Sequence, residues 1–254
     1  MTVPMTRAAH ARRRAKPSVG AVILGVVGEL LITAALVLAG FAFWQLYWTS
    51  FKVEGPRAQA VATYAQAHEP VTKSAGETRT DDPPAFAQGP GANEIYGLIH
   101  VPSWNWMRIP LAETTSTFVL DNGYAGHYEE SAQVGEIGNF SVAGHRRTYG
   151  NNFRWIDRLK EGDPVVVEVD DYYVVYKVAS YEIVDADDPT NIRVVAPVIG
   201  DLTWSQTPTE RWMTMTTCHP EYGNSQRYIV HLKFASWTPK SSGVPAELVD
   251  EPTA

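Results

Sequence analysis

The chain holds one cysteine, Cys218, at the end of the strand-like run Trp212-Met-Thr-Met-Thr-Thr-Cys218, which His219-Pro220 stops. A free thiol ionises at about pH 8.5, so a nucleophilic role at neutral pH calls for a cation or a base beside it. Arg227 opens the next β-like run, Arg227-Tyr-Ile-Val-His-Leu-Lys-Phe234, after a loop containing Gly223-Asn224-Ser225. If the two runs are antiparallel neighbours, thiol and guanidinium meet at one rim, where a fixed cation can stabilise a thiolate or a developing oxyanion. Of the seven histidines, His145 has the best setting for a base, because Asn139-Phe-Ser-Val-Ala-Gly144 leads into it like a buried strand ending in a turn. An imidazole there can accept the thiol proton and return it to a leaving amine. Each residue alone also has an ordinary reading. A lone cysteine can be a small core residue, an arginine at a strand start a solvated one, and a histidine after glycine a structural hydrogen-bonder.

The compartment sharpens the reading. All acidic residues lie beyond Pro17, whereas Arg7, Arg12, Arg13, Arg14 and Lys16 precede it, so the formal charge of −7 divides into +5 and −12. An acidic body excludes a nucleic-acid surface, and the basic cluster reads as a membrane flank. From Val19 to Trp48 the chain is almost continuously apolar with Glu29 its only charge, and Leu30 to Trp48 alone would span roughly 28 Å as a helix. Residues 1–17 are therefore read as a basic cytoplasmic tail and 18–49 as a single transmembrane helix. The positive-inside rule places everything after Thr49 outside. Trp44, Tyr47 and Trp48 form the outer aromatic belt, and Glu29 sits at the inner interface. A cleaved signal peptide has an apolar region of about 7 to 15 residues. This run is longer, and the small-x-small triplet Ala58-Gln59-Ala60 stands well past its end. Outside the membrane a cysteine without a disulfide partner is a reactive thiol, pairs between molecules, or is buried.

The elements that must position these groups lie in residues 93–237. Short aliphatic, aromatic and Thr runs recur there between Gly, Pro, Asn and Asp, predicting strands over Tyr96–Val101, Met107–Ala112, Phe140–Ala143, Pro164–Val169, Tyr172–Val184, Trp212–Thr217 and Tyr228–Ala235. Asp170-Asp171 falls in a hairpin turn and is read as solvated. The spacing of Phe153, Ile156 and Leu159 predicts a short helix. So many short strands with one or two small helices point to a closed barrel. Residues 50–92, rich in Ala, Pro, Gly, Glu and Thr, read as a flexible extracytoplasmic stalk. A short helix over Arg57–Ala67 is possible there, limited by prolines at 70, 83 and 84. Residues 238–254 read as a disordered tail, and the fragment from Asn93 onward is expected to fold without what precedes it.

Thr214-Met-Thr-Thr-Cys218-His-Pro, with Arg227 nine positions on, resembles the active-site strand of sortases. The upstream block Gly126-His127-Tyr128, Gly138-Asn139 and Ala143-Gly144-His145-Arg146-Arg147-Thr148-Tyr149-Gly150 is similar to the segment that ends in the sortase histidine. The likeness runs from about Tyr96 to Phe234, and its Thr-Thr-Cys-His-Pro form is similar to the class E sortases of actinobacteria. The resemblance implies an eight-stranded β-barrel with Cys218 at the end of the seventh strand and Arg227 at the start of the eighth. It implies a transpeptidase in which Cys218 is the nucleophile, His145 the general acid/base, and Arg227 the group that positions substrate or oxyanion, while Thr217 helps shape the substrate pocket. The implied substrates are surface proteins with a C-terminal Leu-Pro-x-Thr-Gly or Leu-Ala-x-Thr-Gly signal. The implied acceptor is an amino group of a cell-wall precursor or of a pilin lysine. His127 occupies a family-typical position and is read as structural. Glu130-Ser131 and Val134 stand where relatives commonly have Gly-Thr and Pro, and Trp104-Asn105-Trp106 is an unusual aromatic insertion that bears on the preferred signal or simply on packing.

Other thiol chemistries fit less well. An L,D-transpeptidase would place Gly before the cysteine and Arg close after it, and a phosphatase-type anion loop needs Cys and Arg about one loop turn apart. The non-enzymatic alternative is a stalked β-domain that binds a surface partner and buries Cys218. No cofactor and no metal are expected, although calcium activates some sortases and the acidic turn at Asp170-Asp171 could take part.

Overall fold

The computed structural model describes residues 18–85 and 90–252. The basic cluster at Arg7 to Lys16 lies outside the described residues. The chain divides into one unit ending at Trp44 and a second beginning at Gln45. The first contains helix α1, Val19–Phe43, opened by Ser18, whose hydroxyl accepts from the Ala21 N–H at 3.3 Å. None of its residues is buried, and by length and composition it is able to cross a membrane. It ends at Phe43, and a π-helical turn, Trp44–Trp48, precedes helix α2, Thr49–Ala67.

The second unit is built on a closed barrel of eight strands. These are β1 Ile95–Val101, β2 Met107–Glu113, β3 Ala125–His127, β4 Gly138–Ala143, β5 Pro164–Glu168, β6 Tyr172–Asp185, β7 Arg211–His219 and β8 Gln226–Pro239. Their order around the barrel is β1-β2-β3-β4-β7-β8-β6-β5, closed by the β5–β1 pairing. Alternation explains the core. Ile99, Val101, Val165, Val167, Phe140, Val142, Met213, Met215, Val230 and Leu232 point into one interior cluster, as period-2 residues of strands must. The Asp170-Asp171 turn joins β5 and β6 as expected, with Glu168 paired to Tyr173. Strand β3 escaped the sequence reading because three residues, one of them glycine, carry too little alternation to register. The helix expected over Phe153–Leu159 is one 3-10 turn, Ile156–Arg158, although Phe153, Ile156 and Leu159 are all buried on the face their spacing implied. A second short helix, α3, spans Thr117–Asp121 and is capped by the Ser116 hydroxyl.

The segments on either side of the barrel, 50–92 and 238–254, make contacts of their own with it. Helix α2 buries Val61 and Tyr64 against Leu98 on the outer face of β1, while Tyr64 donates to the Tyr96 carbonyl at 2.9 Å and to Asp170 at 3.1 Å. Asp170 also takes His68 Nε2 at 3.2 Å, so this acidic turn holds the helix instead of merely facing water. Farther on, Arg79 makes a β-bridge to Trp237, and Ala75 one to Val244. The C-terminal segment packs on the barrel too. Val244 and Leu248 pack on Val166, Tyr173 and Val175, the outward-facing side chains of β5 and β6, and Glu251 reaches His100 at 2.8 Å. The physical reason is that the outer faces of β1 and β5 carry apolar Leu98 and Val166 beside the His100–Glu168 pair, so they need a cover that buries the one and partners the other. Polar, proline-bearing segments supply it with a few well-placed apolar residues that leave no strong periodicity.

Candidate active site

Cys218 is the next-to-last residue of β7 and sits directly opposite Arg227 in the antiparallel β7–β8 ladder. The register therefore makes thiol and guanidinium cross-strand neighbours at the same barrel rim. The thiol is free and partly exposed, whereas a core cysteine would be buried. Arg227 donates to the carbonyls of Asn224 at 2.8 Å and Gln226 at 3.0 Å, which anchors its guanidinium over the β7–β8 turn.

His145 follows β4, which runs parallel to β7 with Ala143 beside Thr216. Two bonds extend that ladder to the residue before the histidine. The Gly144 N–H donates to the Thr216 carbonyl at 3.2 Å, and the Thr217 hydroxyl donates to the Gly144 carbonyl at 2.6 Å. Glycine is required here, since a β-carbon on Gly144 would lie 2.9 Å from the Phe153 ring. The neighbours of His145 and Cys218 are then tied to each other. Arg146, almost fully buried, donates to His219 Nδ1 at 2.7 Å and pairs with Asp157 at 2.8 Å, and Arg147 pairs with Glu221. The loops after β4 and β7 thus close on the same end of the barrel, bringing Cys218, Arg227 and His145 to one rim.

Thr217 immediately precedes Cys218 in β7. It is buried, and its hydroxyl is engaged by Gly144, because side chains alternate along β7 and Thr217 points away from the face that carries Cys218. That bond ties β7 to the strand end that leads to His145. His127 is structural as read: it is fully buried, with Nδ1 2.9 Å from the Glu113 carboxylate and Nε2 3.0 Å from the Ala132 carbonyl. Trp104 is a core residue edge-on to Phe153, and Trp106 packs near the C-terminal segment, so the aromatic insertion serves packing.

Two members of this rim were missed in the sequence. Asp121, the last residue of α3, accepts from His145 Nε2 at 2.9 Å, while the Tyr149 ring stacks on the imidazole at 5.2 Å. A carboxylate only accepts, so this bond puts a proton on Nε2 and leaves Nδ1 for proton exchange. Nothing local marks Asp121. The other is Tyr128, whose hydroxyl lies 2.9 Å from Thr216 Oγ1 on the Cys218 face of β7. Its burial, offset in part by the Thr216 bond and the Arg227 charge, raises its pKa, and the thiolate charge of Cys218 adds to the rise, so the phenol stays protonated. The only sequence signal for it is its place in the motif Gly126-His127-Tyr128.

A family model described as "Sortase domain" matches residues 99–235. The chain is 36% identical to sortase SrtE1 of Streptomyces coelicolor over 97% of this chain and 67% of that protein, and 31% identical to sortase SrtE2 of the same organism over 86% and 84%. Among solved structures it resembles the SrtA sortase from Actinomyces oris, with TM-score 0.64 and 43% identity over 70% of this chain and 99% of that one. It also resembles sortase E1 from Streptomyces coelicolor crystallised with a tripeptide in the active site, with TM-score 0.54 and 40% identity over 64% and 99%.

Proposed function

The chain belongs to the sortase family of cysteine transpeptidases, and from that membership we propose a membrane-anchored enzyme that cleaves a Leu-Pro-x-Thr-Gly or Leu-Ala-x-Thr-Gly sorting signal after Thr. It transfers the protein to an amino group of a cell-wall precursor or a pilin lysine. Helix α1 is the anchor, with the basic N-terminus in the cytoplasm and the barrel outside.

The Cys218 thiolate attacks the Thr carbonyl carbon, and the charge that develops on the carbonyl oxygen lies within the field of Arg227. His145 protonates the departing glycine nitrogen, which leaves the thioester. The acceptor amine then attacks that thioester and gives up its proton to His145, and collapse releases the Cys218 thiolate. Asp121 keeps the imidazole oriented through Nε2 in both halves. The observation that carries this reading is the cross-strand pairing of Cys218 with Arg227, beside the β4 end that leads to His145. A partly exposed thiol in such a setting weighs against a binding module with a buried cysteine.

The test is mass spectrometry of the protein mixed with each signal peptide. Wild type forms an adduct that hydroxylamine releases. Cys218→Ala forms none, and Arg227→Ala slows transfer by roughly 10², the scale of losing one charge-stabilising donor. The absence of an adduct with either signal, or undiminished acylation by His145→Ala, refutes the assignment.

A further inference from the structure

The loop that carries His145 has a backbone that cannot hold itself. After the histidine come four consecutive residues with positive φ: Thr148 at 70°, Tyr149 at 44°, Gly150 at 93° and Asn151 at 52°. Three are not glycine, and one is β-branched, the type least tolerant of this region. Backbone of that kind persists only where its surroundings over-determine it. One of those surroundings is helix α2. Arg57 Nη1 donates to the Gly150 carbonyl at 3.1 Å and to Asn152 Oδ1 at 3.5 Å. Its aliphatic stem lies against Gly123, where a β-carbon would meet Arg57 Cδ at 3.4 Å, and Val53 is equally close to the corresponding point on Gly150.

Those contacts fall on both segments that make the His145–Asp121 pair. Gly123 is two residues past Asp121, and the Tyr149 carbonyl is 3.0 Å from the β-carbon position of Gly123, so the turn after α3 and the His145 loop touch directly beneath Arg57. Tyr149 in turn stacks on the imidazole. Arg57 is half-buried, and among the described residues no carboxylate stands within ion-pair distance of it. Burial lowers its pKa, and the Glu54 charge opposes that in part. A guanidinium drawn partly out of water with a main-chain carbonyl and an amide oxygen as its partners carries a desolvation cost that its two hydrogen bonds to the loop offset.

We propose that Arg57 is a positioning residue for the acid/base histidine, clamping the 148–152 loop and the turn after α3 so that the His145–Asp121 pair holds its geometry. Helix α2 is then part of the frame of the active site. The proposal rests on His145 being the acid/base.

The experiment follows alkylation of Cys218 by iodoacetamide across pH in the full-length protein in detergent micelles, which needs no knowledge of the sorting signal. Wild type, Arg57→Ala, Arg57→Lys and His145→Ala are compared, with melting temperatures in parallel. Thiolate reactivity at neutral pH depends on the imidazole partner, so His145→Ala marks its complete loss. Arg57→Ala is expected to react about tenfold more slowly at neutral pH, the equivalent of one pH unit, with its profile displaced towards that of His145→Ala. Arg57→Lys falls between, since a point charge reaches the carbonyl without the planar fork. Millimolar guanidinium restores the Arg57→Ala rate by filling the vacated site, and the melting temperature stays close to wild type. An Arg57→Ala profile that overlies wild type while His145→Ala departs overturns this inference alone. So does a loss that tracks a lowered melting temperature and is not restored by guanidinium. If His145→Ala itself overlies wild type, the acid/base assignment fails and this inference falls with it.

Discussion

His100, on the outer face of β1, is buried with a carboxylate on each ring nitrogen: Glu168 from β5 at Nε2 and Glu251 from the C-terminal segment at Nδ1, both at 2.8 Å. Lys240, also buried, pairs with Glu168 at 2.7 Å, and the Tyr173 ring lies edge-on at 6.5 Å. Burial alone would push the imidazolium pKa down, but the two hydrogen bonds and two negative charges outweigh it and raise it from 6.5 to about 9. The folded protein keeps the proton that the unfolded chain releases near 6.5, so above that pH the native state binds more protons and stability falls as pH rises. The contribution is fully present below 6.5 and is lost as pH climbs through about 9. At about 1.36 kcal/mol per pH unit, that span corresponds to about 3 kcal/mol. The lowered pKa of Glu168 reports the same interaction and is not added. The assay is urea unfolding followed by tryptophan fluorescence at a series of pH values from 6 to 9.5, for wild type and His100→Gln. Other groups titrate alike in both proteins, so the difference between the curves isolates His100. That difference should shrink by about 3 kcal/mol across the range. Parallel curves would refute the reasoning.

Asp121→Asn should lower the transfer rate roughly ten- to hundredfold with little change in KM, because an amide supports the wrong tautomer about as well as the right one; an unchanged kcat counts against the orienting role. Removing residues 1–92 should cost about 4 kcal/mol and about 10 °C in Tm relative to a chain starting at Gln45, since the buried Val61 and Tyr64 are lost; equal melting curves would show that α2 merely rests on the barrel. Gly144→Ala should abolish turnover, because its β-carbon would fall 2.9 Å from the Phe153 ring and displace the strand end that carries His145; a fully active variant would show that the loop yields at no cost.

Much of the site was legible because its logic is short-range. A strand stopped by His219-Pro220, a turn and a second strand starting at Arg227 form a hairpin, and a hairpin's register is local, so nine positions sufficed to pair Cys218 with Arg227. Alternating runs specified seven of the eight strands and pointed to a closed barrel, the strand-like run ending at Gly144 singled out His145 among seven histidines, and the resemblance to sortases added the eighth strand and the residue roles. The remaining features depend on contacts between distant residues. Asp121 meets His145 across 24 positions, and Arg57 meets Gly150 across 93. Neither sits in a pattern that periodicity or turn chemistry can read. The same holds for the covering segments, where Val61, Tyr64, Val244 and Leu248 are too sparse to reveal a buried face. The sequence by itself determined which groups could do the chemistry and which strands carry them. Only the tertiary structure decided what orients those groups, because barrel closure fixes which outer faces need covering and which loops converge on the rim.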